Sequence, residues 1–362
     1  MPPLTIPREE VELLRGVRAM DLGTDLQGLL TVRWGERAFR FGVECQRQWT
    51  PKSVAEAANA IRRKVQEAPE AIRRKAPRGK IYPLVLVPYL GEDRLAELEG
   101  WGVSGIDLCG NGVVVVPSEL LVHRTGFPNR YRRPGAIKNV YRKNSSVVAR
   151  VFLLVPAFDS VQQSHDEIRQ RGGKITLATV SKVCSSLDAD LVIERTRDEA
   201  TGARRLRLLQ PDKLLDLLAE NYTPPEVKRT FTGKGSLPPD ELRRLLASWE
   251  GRRGGRVVLT GASSVSAYAV MAREPVESFY CSKITDILKS LGDRVRETDR
   301  FPNLTLLEAR DDFVYFDRRP DLVASPVQAY LELAAGDKRE QETAEQVRRA
   351  ILKSLPRGSV KG

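Results

Sequence analysis

The chain has 362 residues and a formal net charge of +12, from 59 Lys and Arg against 47 Asp and Glu. This length allows two or three domains, and 41% hydrophobic with 29% charged residues is typical of a globular chain, not of a disordered or membrane-spanning one. The 4 cysteines form no CxxC pair and there are only 2 histidines, which argues against a disulfide framework, a zinc knuckle and a Ser-His-Asp triad.

The N-terminal segment predicts an α/β domain over residues 1–120. PREEVELL at 7–14 favours a helix, and its acidic residues precede any apolar stretch, so we expect no signal peptide and a cytoplasmic protein. LLTVRW and AFRFGVECQ predict a hairpin, followed by a basic helix and the strand PLVLVP. We expect Asp107 and Asn111 to end a later strand through side-chain bonds to the backbone.

This strand–helix–strand run resembles the PD-(D/E)xK nuclease fold. In that motif an acid-x-Lys pair ends the central strand, and Glu44-Cys45-Gln46 occupies the place here without the lysine. The resemblance implies either an active site of Glu44, Gln46 and an earlier acid, Asp25 or Asp21, with Mg²⁺, or a degenerate fold kept for dimerisation or DNA contact. We favour the degenerate fold, with no catalytic residue and no metal.

The basic excess lies in two stretches that are predicted to be linkers. Residues 121–150 carry 8 basic and no acidic side chains, and residues 221–260 carry 8 basic and 4 acidic ones. Pro-Gly, Pro-Pro and Gly-Gly steps predict a basic linker over 121–146 and a second one, with a short helix, over 223–255. Their cations, Arg132 and Arg133 among them, suit a phosphate backbone, although a merely solvated linker is the alternative.

Residues 147–222 have the order of a winged helix-turn-helix. SVVARVFLLV and SVQQSHDEIRQRGG predict two helices, and Val180, Val183, Cys184 and Leu187 form the apolar stripe of a third. The opposite face of that helix is small, polar and free of acids, which a helix entering the major groove requires. It holds Ala178, Thr179, Lys182, Ser185 and Ser186, with Ser181 at its margin.

The alternating sequence LVIERTRDEATGARRLRLLQ then predicts a hairpin that turns at Thr201-Gly202. Its arginines would straddle the DNA backbone or probe the minor groove: Arg195, Arg197, Arg204, Arg205 and Arg207. The alternative is a three-helix protein-interaction module whose arginines only pair with Asp198 and Glu199.

The C-terminal segment, residues 256–362, predicts a further α/β domain. RVVLTGASSVSAYAV favours strand–turn–helix, FPNLTLLEARDDFVYF a hairpin, and SPVQAYLELAAGDKREQETAEQVRRAIL two amphipathic helices. LTGASS also looks like the opening of a nucleotidyltransferase fold. The next strand has the single acid Glu277, so we expect no metal site there, and we interpret Gly261 as a tight-turn glycine.

An ordered set of motifs covers about two thirds of the chain: TVSKV at 179–183, LVIER at 191–195, PDKLLDLL at 211–218, LTGA at 259–262 and SPVQAYLEL at 325–333. Together they resemble the AbiE-type antitoxin family of type IV toxin–antitoxin transcriptional regulators. Asp190 stands where the pattern usually has Gly. The resemblance implies a DNA-binding autorepressor that also opposes a cognate partner toxin. Because regulators commonly pair two half-sites by two-fold symmetry, we also expect an inverted-repeat operator in double-stranded DNA and a homodimer, and we expect no cofactor.

The expected fold class is therefore multidomain α+β: a nuclease-like α/β domain, a central winged helix and a C-terminal nucleotidyltransferase-like α/β domain. The function predicted first is a non-enzymatic, sequence-specific DNA-binding regulator. The alternatives are a metal-dependent nuclease or defence effector aimed by the winged helix, and a protein-only scaffold.

Overall fold

The computed structural model describes residues 28–34, 36–74, 76–131, 140–197, 204–270 and 276–356. Over these residues the chain is a mixture of helices and β-sheets, as the α+β class requires. It divides into two compact units, Met1–Pro134 and Gly135–Gly362, and the division lies inside the predicted linker 121–146. None of the helices within these ranges has the length and apolar character needed to cross a membrane.

The first unit is built on a six-stranded sheet whose strands lie side by side in chain order. The strands are β1 (Gly28–Trp34), β2 (Arg37–Cys45), β3 (Ile81–Val87), β4 (Ser104–Asp107), β5 (Gly112–Val116) and β6 (Leu120–Arg124). The pairs β2–β3 and β3–β4 are parallel, and the remaining pairs are antiparallel. Because parallel neighbours need crossovers, helices lie in these two connections: α1 (Pro51–Gln66), α2 (Glu70–Arg73) and α3 (Glu92–Gly100).

Both faces of the central strand β3 are buried. Val85 packs with Val54 and Ile61 of α1, whereas the adjacent Leu84 belongs to a second apolar cluster with Phe41. This burial on both sides explains why β3 is a nearly continuous apolar run, as parallel strands usually are. The helix expected at 7–14 lies outside the described residues.

The second unit begins with helices and a small sheet. Its elements are α4 (Ser146–Phe152), β7 (Ala157–Phe158), α5 (Val161–Gln170), α6 (Leu177–Ala189), β8 (Ile193–Arg197), β9 (Arg204–Leu208) and α7 (Pro211–Glu220). The three strands are antiparallel in the order β7–β9–β8. Helix α5 is capped by the Ser160 side chain and is followed by Gly172 at a φ of 82°, so the predicted glycine stop is confirmed.

A five-stranded sheet follows, in the order β11–β12–β14–β10–β13. Its strands are β10 (Val227–Gly235), β11 (Val257–Leu259), β12 (Glu277–Cys281), β13 (Val295–Glu297) and β14 (Leu304–Ala309). The pair β12–β14 is parallel and the other pairs are antiparallel. Its helices are α8 (Pro239–Arg253), α9 (Gly261–Ser264), α10 (Ile284–Leu291), α11 (Pro326–Ala334) and α12 (Lys338–Ser354).

The prediction of a linker over 223–255 is wrong. Strand β10 pairs on both sides, with β13 and β14, and buries Phe231, while the 15-residue helix α8 buries Leu246 and Trp249 in the same core. The Pro-Pro and Gly-Gly steps suggest loops, but Pro239 starts α8 and Gly254 ends it at a φ of 61°. Proline at a helix start and glycine at its end are ordinary helix boundaries.

The hairpin predicted over 301–316 is also wrong. Only β14 forms there, and Asp312–Tyr315 is a 3-10 turn. Phe313, Val314, Tyr315 and Phe316 are all buried, and four consecutive buried side chains do not suit a strand with one exposed face. The strand–turn–helix of β11 and α9 and the two C-terminal helices are confirmed.

The segments 147–222, 223–255 and 256–362, which are expected from the sequence as separate domains and a linker, lie in one compact unit. One apolar cluster contains Val148 of α4, Val180 of α6 and Leu331 of α11. Within it, the Arg150 guanidinium donates to the Gln328 side chain at 2.6 Å, and Gln328 donates to the Glu332 carboxylate at 2.6 Å.

Gly261 joins α9 closely to α11. Its N–H donates to Glu332 at 2.6 Å, and a Cβ at this position would lie 3.0 Å from the Ala329 Cα and 2.8 Å from the Glu332 Cβ. The glycine is therefore required by the close approach of two helices.

We expect Glu332→Gln to change how stability depends on pH. Burial raises the pKa of Glu332 from 4.5 to about 7. The folded state then holds the proton more tightly than the unfolded chain, so stability from the neutral form is present below pH 4.5 and lost as pH rises towards 7. Gln cannot ionise. As pH rises through this window, the free energy of unfolding of the variant should increase relative to that of the parent chain, by about 1.4 kcal/mol for each unit of difference between the folded and unfolded pKa of Glu332.

Urea unfolding at several pH values measures this difference. Glu345→Gln, at an exposed position of α12, is the control and should show no such pH dependence. A stability difference for Glu332→Gln that stays constant across the window would contradict the prediction.

Candidate nucleic-acid interface

Helix α6 has one buried and one outward face. Its first turn is capped by Thr176, whose Oγ1 accepts the N–H of Thr179 at 3.3 Å. The predicted apolar stripe is confirmed, since all its members are buried: Val180, Val183, Cys184 and Leu187. Burial raises the pKa of the Cys184 thiol to about 11, so this sulfur is a neutral core atom.

The outward face of α6 carries the small, polar side chains expected there. Lys182 and Ser185 are exposed or partly exposed, as are Thr179, Ser181 and Ser186. The Ser185 hydroxyl donates to the Ser181 carbonyl at 2.9 Å, and that of Ser186 to the Lys182 carbonyl at 3.3 Å. Each hydroxyl oxygen keeps acceptor capacity. The Lys182 ammonium forms no ion pair with any described residue.

Arg195 of β8 lies beside this outward face. It stands opposite Leu206, on the side of the hairpin that faces the core. Its N–H donates to Asp188 of α6 at 3.1 Å, and its guanidinium donates to the Ser185 hydroxyl at 2.5 Å. The strand and the helix therefore place a cation next to exposed hydroxyl groups.

Arg205 and Arg207 lie on the other face of the same hairpin. Arg207 pairs with Glu194 at 3.1 Å and Arg205 with Asp159 at 3.7 Å. Such exposed ion pairs are worth roughly 0–1 kcal/mol and are screened by salt, so a phosphate can replace either carboxylate at little cost. These partners differ from Asp198 and Glu199, which lie outside the described residues together with the turn itself.

Four other predicted residues are described in part or not at all. Arg197 and Arg204 pair across the β8–β9 ladder, but their side chains lie outside the described part of the chain. Arg132 and Arg133 also lie outside it.

Two contacts that no sequence motif predicts hold the end of α6. The Tyr141 hydroxyl donates to the Asp190 carboxylate at 2.7 Å, and Lys213 donates to the Asp190 carbonyl at 2.9 Å. The glycine missing at 190 is replaced by a left-handed residue one position later, Leu191, at a φ of 57°. Tyr141 and Lys213 lie 49 and 23 residues away in sequence, so no local pattern could reveal them.

In the first unit, Glu44 is buried near the end of β2 and pairs with a lysine from outside the sequence motif. The Lys64 ammonium of α1 lies 2.9 Å from the Glu44 carboxylate. Gln46 extends the ladder through its N–H to the Leu86 carbonyl at 2.9 Å. Asp25 and Asp21 lie outside the described residues. Spacing alone does not predict this lysine, because the motif places it two residues after the acid and not on a neighbouring helix.

Asp107 is a structural residue, as predicted. Its carboxylate accepts the N–H groups of Leu90, Cys109, Gly110 and Asn111 at 2.7–2.9 Å and the Asn111 side-chain amide at 2.8 Å. The hydrogen bonds that this carboxylate accepts therefore hold the turn after β4 and the segment after β3 in place.

The described residues contain no group of three or more His, Cys, Asp or Glu side chains that could hold a metal ion. Among the described residues, Glu44 is the one carboxylate of the nuclease-like motif, and it is paired with the Lys64 ammonium. One carboxylate beside a cation does not by itself fit Mg²⁺, which requires several oxygen ligands. In the second unit, Glu277 of β12 pairs with Arg243 of α8.

No protein-family model, curated protein or solved structure matches this chain. The resemblances to the AbiE-type antitoxins and to the PD-(D/E)xK fold therefore rest on the sequence motifs and remain hypotheses.

Asp107→Ala should destabilise the first unit by about 3 kcal/mol or more. The substitution leaves several buried N–H donors without an acceptor, and each unsatisfied donor costs about 1–3 kcal/mol if the surrounding structure does not rearrange. Hydrogen exchange of peptides from β3 to β5, together with urea unfolding, measures the loss. Asp93→Ala, an exposed first-turn position of α3, is the control and should cost under about 1 kcal/mol. Equal effects of the two substitutions would contradict the structural role.

Proposed function

We propose that this chain is a sequence-specific DNA-binding transcriptional regulator that reads DNA with α6 and the β8–β9 hairpin. The observation that carries the proposal is the outward face of α6: small and hydroxyl-bearing side chains with Lys182 and no acid, beside a hairpin of arginines. Acidic or bulky groups at these positions would repel or clash with the phosphate walls of a groove.

The order of elements supports a winged helix as the reading module. Helix α4, strand β7, helices α5 and α6 and strands β8 and β9 follow one another, and the strands pair as β7–β9–β8. In this arrangement the third helix is the recognition helix and the last hairpin is the wing. The two flanking α/β parts, nuclease-like and nucleotidyltransferase-like, belong to the same proposal and rest on their motifs.

The chemistry of the face suits base edges and phosphates. Lys182 can donate to guanine O6 and N7 or to a phosphate, and Thr179, Ser181, Ser185 and Ser186 can donate or accept at any base. Arg195, which donates a hydrogen bond to Ser185, would place a second cation beside these DNA-contacting side chains of α6. On the other hairpin face, Arg205 and Arg207 would exchange their carboxylate partners for phosphates or the minor groove.

The kind of regulator is proposed from the resemblance. An antitoxin-like autorepressor of a type IV toxin–antitoxin or related defence operon would bind an inverted repeat, since a two-fold symmetric dimer meets two half-sites. A cognate toxin, a homodimer, a cytoplasmic location and the lack of a cofactor or catalytic activity belong to this proposal. The neighbouring gene tests it: a nucleotidyltransferase-like toxin there would support it.

Lys182→Ala combined with Arg205→Ala should weaken binding to the DNA upstream of this protein's own gene by at least tenfold. Each of the two side chains is expected to contribute about 1–3 kcal/mol, and the preference over unrelated DNA should fall as well. Fluorescence anisotropy with both duplexes at one fixed salt concentration measures this.

Lys338→Ala combined with Arg339→Ala removes the same charge from an exposed part of α12 and should leave affinity unchanged. If both double variants bind like the parent chain, α6 and the wing do not face DNA.

The nuclease alternative has one observation in its favour, the Lys64 ammonium held against buried Glu44. A lysine beside an acid can stabilise charge that develops on a phosphate. The described residues offer no complete metal site, so no catalytic step is assigned, and Gln46 and Asp25 add no described contact to this pair.

We expect no cleavage when the full chain is incubated with supercoiled plasmid and Mg²⁺ or Mn²⁺. Cleavage that is lost in Glu44→Gln and in Lys64→Met, but kept in Glu56→Gln at an exposed position of α1, would replace the regulator proposal for the first unit.

A further inference from the structure

Strand β10 turns part of the predicted basic linker into an exposed face. Phe231 and Gly233 point to the core, so the alternate residues Thr230, Thr232 and Lys234 point the other way. Thr230 and Lys234 are exposed and Thr232 partly so. Lys228, also exposed, is the extra residue of the bulge where the register with β14 shifts, so the alternation does not assign it to this face.

The neighbouring strands extend this face with the same chemistry. Thr305 of β14 is the partner of Thr232, and Arg296 of β13 is the partner of Lys234. Directly paired residues share a face, so two cations stand opposite each other. Neither forms an ion pair with a described residue, and the adjacent acid Glu297 is paired with Gly233 on the opposite face.

Like charges placed directly opposite each other destabilise a sheet. The pair Lys234–Arg296 therefore favours an anion, which would relieve the repulsion. In contrast, Arg229 on the core side of the same strand donates to Thr285. Cations without a carboxylate partner among the described residues, interleaved with threonine hydroxyls, are groups that bind phosphate oxygens.

An exposed aromatic residue lies at the same end of the sheet. The loop 298–303 is joined to β10 by hydrogen bonds from the N–H of Thr298 to the Thr232 carbonyl at 3.2 Å and from the N–H of Asn303 to the Gly233 carbonyl at 3.1 Å. Within it, Phe301 is 88% exposed and has a φ of 51°, next to exposed Arg300 and Asp299. A left-handed backbone costs a non-glycine residue about 1 kcal/mol or more, and here no burial in the unit compensates for it.

We infer that the face formed by β10, β13 and β14 is a second contact surface for duplex DNA. Lys234 and Arg296 bind phosphates, and Phe301 packs as an apolar wedge against base steps in the minor groove. This inference rests on the proposed DNA-binding function and extends it beyond the winged helix.

Duplex DNA fits this face better than a single strand does. Single-strand surfaces carry several aromatic side chains lying along the path of the bases, whereas this face carries threonines, cations and the aliphatic residues Val227 and Leu307, with one protruding aromatic at its end.

The double variant Lys234→Ala and Arg296→Ala tests the phosphate contacts. We expect the slope of log affinity against log salt concentration to fall by about 2, at ~0.9 for each phosphate that no longer has a protein cation beside it. Affinity should fall by the same factor, at least tenfold, for the upstream duplex and for an unrelated one, because phosphate contacts carry no sequence information. The matched control is Lys338→Ala and Arg339→Ala on α12, which should change neither quantity.

Phe301→Ala tests the wedge separately. It should lower duplex affinity several-fold with an unchanged salt slope, because the phenyl ring is uncharged and releases no counterion. A Lys234→Ala and Arg296→Ala variant that behaves like the α12 control, or a parent chain that binds the single strand more tightly than the duplex, would overturn the inference. If the parent chain does not bind duplex DNA at all, the proposed function itself is wrong. This outcome differs from one in which the parent chain binds and only the second surface makes no contribution.

Discussion

The second unit depends on a buried cation. Arg150 of α4 is only 2% exposed, lies 5.2 Å from the Phe313 ring centre and donates to Gln328 of α11. Burial lowers its pKa to about 10, so it remains charged at neutral pH. A buried charge without partners costs several kcal/mol, and α4 therefore stays against α11 and the 3-10 turn at Phe313. Gln328 continues the contact to Glu332, which receives the Gly261 N–H.

This connection decides how the proposed reading helix is held. Helix α6 packs on α4 through a core that also includes Leu331 of α11, so the outward face of α6 has a fixed position relative to the five-stranded sheet. A winged helix on a flexible linker would bring only its own contacts to DNA. Here, in the proposed function, a contact of the sheet with the same duplex would add to those of α6 without a further entropic cost of alignment.

Local periodicity is enough to predict helix α6, the proposed recognition helix, but not the tertiary contacts that position it. The stripe of α6, the cap-and-glycine boundaries of α5 and the β8–β9 hairpin follow from spacing alone. Strand β10 does not, because a sheet partner such as Thr305 lies far along the chain, and proline and glycine mark a helix end as readily as a linker. Lys64 beside Glu44 and Tyr141 beside Asp190 escape prediction for the same reason: each pair is formed by tertiary packing.

If the chain binds DNA as proposed, the distribution of charge would divide base discrimination and phosphate attraction between two surfaces. On α6, one cation among hydroxyl groups can discriminate bases but supplies little attraction, and the wing arginines Arg205 and Arg207 are partly neutralised by Asp159 and Glu194. On the sheet face, cations that pair with no described carboxylate stand among threonines and can attract any sequence. Affinity would then come mainly from the sheet and selectivity from the helix. Because both belong to one compact unit, a correct sequence under α6 would, in the proposed function, also determine which phosphates the sheet can reach. Attraction by the sheet would in turn lengthen the residence time during which α6 discriminates between sequences.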